Sequence, residues 1–429
     1  MSPGPPGGDE AGAPARPALR TRTPASDAVC GPHPAPPTSP WPLVVLLYLS
    51  GLLAAAQLGK LSALAPHIAP ALGLALPVIA VAISLIELGG ATCGAIAGLL
   101  AQRLGLRRCL RGGVALLAAG GLGSALVDGL PGLYGWRLVE AAGYLGVIVS
   151  APVLIAERLR LAGARAQGLA LTLWSTFVPV GLALGAWGSA AAAALVGWRG
   201  ASVAWGMVAL ALTAALARAA LPEEHGRAAA SLDPEAAPAG PSVWPLALAF
   251  GLFALFEVGV LGLLPSFLVA HGLSTAAAGG WTAVASVSAV AGSAVTALLL
   301  RRGTDPRGAM AASIGLPPLM LWAAFRAEPD LPSALAWVIG LNMLGGVFAS
   351  LAFALLPRLA GSPSRMVRAN GLIAQCGASG SLLGPPAMAA CVEWGGWPAA
   401  ALFGAVVSAA ALPLAWHAAS TRRSAASPA

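Results

Sequence analysis

The chain has 429 residues, of which 58% are hydrophobic and only 9% charged, and its mean hydropathy is +0.80. A soluble chain carries roughly a quarter of charged residues, so 16 acids and 24 bases cannot cover the soluble domains this length would make, and most of the protein must be solvated by lipid. The net charge of +8 does not point to nucleic acid, because the bases sit in short gaps between apolar runs rather than in a patch interleaved with aromatics.

Residues 1–41 are rich in Pro, Gly, Ala and Arg and lack the apolar stretch of a signal peptide, so they read as a disordered tail. Beyond them come apolar runs of the roughly 20 residues that span a bilayer core. Twelve are expected, at 43–64, 77–100, 110–128, 131–156, 167–196, 201–221, 245–270, 279–300, 308–326, 333–357, 369–392 and 397–417. The runs are continuous rather than alternating, which predicts an all-α membrane protein and not a β-barrel. The gap 222–243, with Glu223, Glu224, Arg227, Asp233 and Glu235, reads as a linker between a bundle at 42–221 and a second at 244–419, and 420–429 as a short tail.

The two halves repeat. Trp41-Pro42-Leu43 recurs as Trp244-Pro245-Leu246, and at the same offset Arg165-Ala166-Gln167-Gly168-Leu169 falls on Arg368-Ala369-Asn370-Gly371-Leu372. Gly197-Trp198 and Gly396-Trp397 fall close to that register. Parallel repeats of this kind are related by an axis along the membrane normal, with substrate sites between the halves.

Between the second and third spans, Gly98-Leu99-Leu100-Ala101-Gln102-Arg103-Leu104-Gly105-Leu106-Arg107-Arg108 resembles the loop signature of the major facilitator superfamily, G-x-L-x-D-R-x-G-R-[RK]. Arg137-Leu138-Val139-Glu140 followed by Gly143 is similar to that family's fourth-helix stretch, and Gly197-Trp198-Arg199 to its opening of the sixth. The fifth and eleventh spans resemble the cyanate-permease-like branch. The resemblance implies two pseudo-symmetric six-helix bundles and a secondary transporter of a small molecule working by alternating access, as a symporter, an antiporter, an anion permease or an efflux carrier. Gly98, Gln102, Arg103, Gly105, Arg107 and Arg108 would form its conformational loop, with Gln102 where the family usually has Asp. A non-transporting membrane sensor is the competing class, but it needs a soluble domain that the tail and linker do not supply.

Three acids fall inside spans: Glu87, Glu140 and Glu257. A charge at the centre of a lone helix costs about 3 kcal/mol, so each should face protein or water. Glu87 shares a helix face with Gly90, Gly94 and Gly98. Arg137 and Glu140, three residues apart, are neighbours on one face, as a structural salt bridge or as an anion or proton site. Glu257 stands among Phe250, Phe253 and Phe256 with no base at helical spacing, a setting in which a carboxyl can take up and release a proton as water leaves and reaches it. These four residues are the proton-coupling candidates, with Glu257 first. Gln57, Trp174, Asn342 and Gln375 are the weaker candidates for the substrate cavity. Lys60, His67 and His271 are expected as solvated anchors near the outer ends of their spans.

Cys30, Cys93, Cys109, Cys376 and Cys391 show neither a disulfide framework nor a zinc spacing, and neither metal nor cofactor is expected. No enzymatic activity is expected either. The expected partners are the lipid bilayer, a small-molecule substrate and protons, with no nucleic acid and no need for an oligomer.

All but four of the 24 bases lie in alternate gaps, the exceptions being Lys60, Arg137, Arg199 and Arg326. By the positive-inside rule both termini and the linker face the cytoplasm of a bacterial inner membrane. A membrane-impermeant thiol reagent added from the periplasm should modify a cysteine engineered at Asp330 and miss one placed in the linker or in either tail; labelling of either tail would overturn the topology.

Overall fold

In lipid each helix must satisfy its own backbone N–H and C=O groups, which is why continuous apolar runs become helices. A computed structural model describes residues 39–222, 242–326, 330–360 and 363–420. The described residues form twelve helical spans. The first half holds α1 (Trp41–Leu72), α2 (76–104), α3 (Leu106–Ser124), α4 (Leu130–Arg158), α5 (164–196) and α6 (198–218). The second holds α7 (Trp244–Ala270), α8 (Thr275–Arg301), α9 (306–324), α10 (Leu331–Ala360), α11 (Pro363–Gly395) and α12 (Trp397–Ser420). The expected tails and most of the expected linker lie outside the described residues.

Several spans run past their expected ends. α1 continues to Leu72 with Pro66 and Pro70 inside it, since a proline is tolerated in a membrane helix where neighbours re-satisfy the freed carbonyls. Among the described residues, eight stretches are long and apolar enough to cross a bilayer by length and composition alone, and one of them, Arg165–Arg218, holds both α5 and α6. The turn between these two is Gly197, at φ 71°, and its repeat partner Gly396, between α11 and α12, has φ 70°. Both need the left-handed conformation that glycine adopts without penalty, so the sequence repeat is also a repeat of backbone geometry.

Three helices are jointed. α2 passes from an α-helix (Leu76–Ser84) through a 3-10 turn at Leu85–Glu87 into a second α-helix (Leu88–Leu104). α5 breaks after Trp174 and resumes at Phe177. α9 is split into Pro306–Gly315 and Pro317–Ala324, because Pro317 and Pro318 have no N–H to continue the ladder.

Small residues hold each bundle together. Gly59 and Gly185 bring the backbones of α1 and α5 into contact, and Gly380 and Gly384 do the same for α11 on α7. Helices without a hydrophobic drive between them rely on this close approach. Between the bundles, the Ser62 hydroxyl donates to Leu261 O at 3.1 Å and Gly262 O at 2.8 Å, joining α1 to α7. Ser286 of α8 donates to Pro179 O of α5 at 2.9 Å, and the Gln375 amide of α11 to Ala91 O of α2 at 3.1 Å. These contacts lie at mid-helix or nearer the face opposite the termini. Toward the terminal face, α2 exposes Ile96, Leu100 and Leu104, and α5 exposes Leu169 and Leu173.

A side chain at position 59 would meet the backbone of Leu182 and Ala186, which cannot swing aside as a rotamer could. Gly59→Val should therefore cost about 1–3 kcal/mol by overpacking, read as a lower thermal midpoint of the detergent-purified protein. An unchanged midpoint would show that α1 and α5 can separate freely.

Candidate functional site

The polar residues of the first bundle converge inside it. Glu140 on α4 is 1% exposed, and one of its carboxylate oxygens accepts from the Lys60 ammonium on α1. The other accepts from Arg137 Nη1 at 2.7 Å. Gly120 of α3 makes room for the acid, since a Cβ there would run into the Glu140 side chain. The expected i,i+3 pair is thus present, but it is part of a triad. Lys60, expected as a solvated anchor, is instead 2% exposed in the bundle interior. Its charge sits too deep along a helix that extends to Leu72 to reach water, so a carboxylate must neutralise it.

Arg137 also reaches across to α2. Its Nε donates to Ala82 O and its Nη2 to Ile83 O, each at 2.9 Å, just where α2 tightens into its 3-10 turn. Such a turn alters the i→i−4 ladder, and the guanidinium supplies donors to the carbonyls at the joint. Glu87 ends that turn, is 7% exposed, and accepts a hydrogen bond from the Tyr144 hydroxyl of α4 at 3.0 Å. One turn further, Gly90 faces Ala378 of α11. Glu87 therefore stands beside the contact between the bundles.

Glu257 lies elsewhere. It is 9% exposed and its carboxylate rests on Gly345 of α10, where a Cβ would meet both oxygens. It has no hydrogen-bond or ion-pair partner among the described residues. Phe253 and Phe256 flank it, as expected, while Phe250 packs with Phe253 and Phe348. The three acids thus occupy three settings, and the fold brings only Glu87 and the Glu140 triad to a common joint.

The expected cavity residues separate. Trp174 stacks on Phe177 with ring centroids 4.6 Å apart and covers Gly51 of α1, a packing role within the bundle. The Gln57 and Asn342 amides donate to Leu53 O and Val338 O of their own helices, at 3.1 and 2.9 Å. Their buried oxygens Oε1 and Oδ1 have no partner among the described residues. Gln375 joins the bundles, as described above.

In the loop motif, Gly105 takes φ 91° between α2 and α3, Arg103 is exposed, and Gly98 faces open space. Arg107 Nε donates to Pro222 O at 2.5 Å, while Arg111 donates from Nε to Leu216 O and from Nη2 to Ala219 O, both at 3.1 Å. The arginines of this loop therefore bind carbonyls at the C-terminal end of α6, where cations are favoured by the helix dipole. The Gln102 side chain lies outside the described residues. His67 is half-buried, and His271 Nδ1 lies 2.8 Å from Phe267 O at the end of α7.

The sequence signal for Lys60 was its place inside an apolar run, and for the α9 joint it was Pro317-Pro318. Tyr144 carried no signal of its own. Removing Glu140 would leave two cations unpaired, so Glu140→Ala should cost about 3–5 kcal/mol, measured by thermal unfolding in detergent. Lys60→Met should cost less, because Arg137 still neutralises Glu140; equal losses would show that Arg137 contributes nothing to the pairing.

Known proteins share this architecture. At a TM-score of 0.71 and 16% identity, a bacterial homolog of the human lysosomal transporter Spinster, solved inward-facing and unoccupied, aligns over 89% of this chain and 97% of its own. The nucleoside transporter NupG aligns with a TM-score of 0.71 at 14% identity, over 88% and 100% of the two chains. The inward-open xylose transporter XylE from E. coli gives 0.66 at 17% identity, over 86% and 95%. In sequence, 110 residues are 38% identical to the 3-(3-hydroxy-phenyl)propionate transporter of Escherichia coli (strain K12), a stretch that makes up 26% of this chain and 25% of that one. The chain thus spans about a quarter of the length of the curated relative it matches. The model of the Major Facilitator Superfamily matches residues 47–361, most of the chain, and the protein belongs to that superfamily of membrane transporters, not to an enzyme family.

Proposed function

We propose that the protein is a proton-linked secondary transporter of a small organic solute in a bacterial inner membrane, with both termini cytoplasmic. Residues 42–221 and 244–419 act as its two rocking bundles, joined by the 222–243 linker. The observation that carries this reading is the position of Glu87. It is buried on the jointed helix α2, has the Tyr144 hydroxyl as its hydrogen-bond donor, and stands one turn from the α2–α11 contact between bundles. Movement of one bundle against the other changes how far water reaches this carboxylate. A group whose solvation differs between two states binds a proton differently in each, and that differential affinity is what lets a proton shift a conformational equilibrium. Arg137 links Glu87 to the triad through the α2 joint, so that Arg137 and Glu140 form the electrostatic setting of the proton site.

For the substrate, the local likeness to a phenylpropionate transporter favours an organic carboxylate. The triad of Lys60, Arg137 and Glu140 carries one more base than acid, an excess that also suits an anion arriving with a proton. Gln57 and Asn342, with their free oxygens, supply acceptors for a hydroxyl or a protonated group of the solute.

Uptake of a panel of aryl and short-chain carboxylates into vesicles, against sugars and nucleosides as competitors, tests the class. With a carboxylate that is taken up, Glu87→Gln should abolish accumulation driven by a proton gradient while sparing exchange at equal concentrations on the two sides. Undiminished accumulation in that variant would remove Glu87 from the coupling.

A further inference from the structure

Glu257 borders a small void of about 10 Å³, room for one water-sized body, between α7, α9 and α12. The void is separate from the joint of the first bundle and lies within the second. Its polar lining is made of oxygens. Glu257 lines it, with a carboxylate that is more than nine-tenths buried, rests against Gly345 of α10 and has no partner among the described residues. Ser313 and Ser408 contribute hydroxyls, and the Ser313 proton is already donated to Met310 O at 2.9 Å, so its oxygen faces its surroundings as an acceptor.

The break in α9 adds to this set. Ser313 and Ile314, which line the void, precede Pro317 and Pro318 by four residues. The helical ladder would have closed on their carbonyls, but proline has no N–H to give. The first half of α9 also ends here, at Gly315, and the end of a helix carries partial negative charge. The remaining lining is apolar, Phe256 among it, and includes no base.

The surroundings therefore hold one negative charge and several acceptors, against a single uncommitted donor, the Ser408 hydroxyl. A proton on Glu257 would provide a single O–H, enough for one of these acceptors. A small hard cation is satisfied by several oxygens at once, and carbonyls at broken membrane helices together with a carboxylate are a recurrent way of holding sodium. No group of three or more His, Cys, Asp or Glu residues assembles among the described residues, so the donor set suits an alkali ion with a single carboxylate rather than a transition metal.

We propose that the void beside Glu257 is a sodium site that ties α7 to the broken helix α9 and to α12. Occupation neutralises Glu257 without a proton and stabilises the second bundle. The proposal stands apart from the proton coupling assigned to Glu87, since it concerns binding to the protein without substrate.

Thermal unfolding of the detergent-purified full chain, in sodium chloride against choline chloride at equal ionic strength and fixed pH, tests it directly. Sodium should raise the midpoint by several degrees in a saturable manner, because a ligand that binds only the folded state stabilises it by mass action. Glu257→Gln should lose that rise, and Ser408→Ala, which removes one oxygen from the lining, should need several-fold more sodium to reach it. Equal midpoints in sodium and choline overturn the proposal, as does a midpoint that follows pH and ignores sodium, which would make the void a proton site. A full sodium response in Glu257→Gln, or an unshifted titration in Ser408→Ala, overturns the assignment to this void. Should Glu257→Gln fail to fold, the wild-type and Ser408→Ala titrations decide.

Discussion

Two cations and a carboxylate buried together in a lipid-solvated bundle leave little freedom in how the surrounding helices pack. Lys60 comes from α1 and Arg137 and Glu140 from α4, and all three are shielded from water. The desolvation cost of any one of them alone would be several kcal/mol, so α1 and α4 must approach until the charges meet. Gly120 on α3 leaves space for the acid, and Arg137 carries the arrangement on to α2 by binding the carbonyls of Ala82 and Ile83. Four helices of the first bundle are thereby set by one charge-balance requirement.

The second bundle is built on the same scaffold with a different polar interior. α7 and α11 pack through Gly380 and Gly384 as α1 and α5 pack through Gly59 and Gly185. In place of the triad stands Glu257 against Gly345, with no ionic partner among the described residues. In each bundle a glycine opens the backbone for a carboxylate, at Gly120 and at Gly345. Pseudo-symmetry therefore extends to the helices and their turns, while the charges differ. The first interior pairs its acid with two bases, while the second holds an acid with no base facing it among the described residues, a setting that favours a positive ligand.

Joints in α2, α5 and α9 fit this division. A broken membrane helix must find outside partners for the backbone groups it frees, and these helices find different ones. Arg137 serves the joint of α2, the Tyr48 and Thr176 hydroxyls meet at 2.7 Å beside the break in α5, and the break in α9 borders the Glu257 void. Breaks of this kind place polar backbone within the membrane only where protein surrounds it.

Hydropathy is a property of each segment by itself, and for that reason the twelve spans and the two halves were legible in the sequence, where Gly197 and Gly396 showed only as a repeat whose left-handed turns the structure supplied. The Arg137 and Glu140 pair was legible because i,i+3 neighbours are set by helix geometry, and the loop motif because it is contiguous. The partner of a lone polar residue depends on which helix lies opposite, at what depth and in what rotation, and a single chain segment does not encode that. Hence Lys60 read as an anchor until α4 brought Glu140 to it, and Glu87 had no visible partner until α4 presented Tyr144. The ninth span read as continuous over 308–326, although Pro317-Pro318 breaks it, and only the packing of α7 and α12 around that break set Glu257 and Ser408 beside it. What the tertiary structure decided is the neutralisation of buried charge, because in a medium without water each such group depends on whatever distant residue the fold brings within reach.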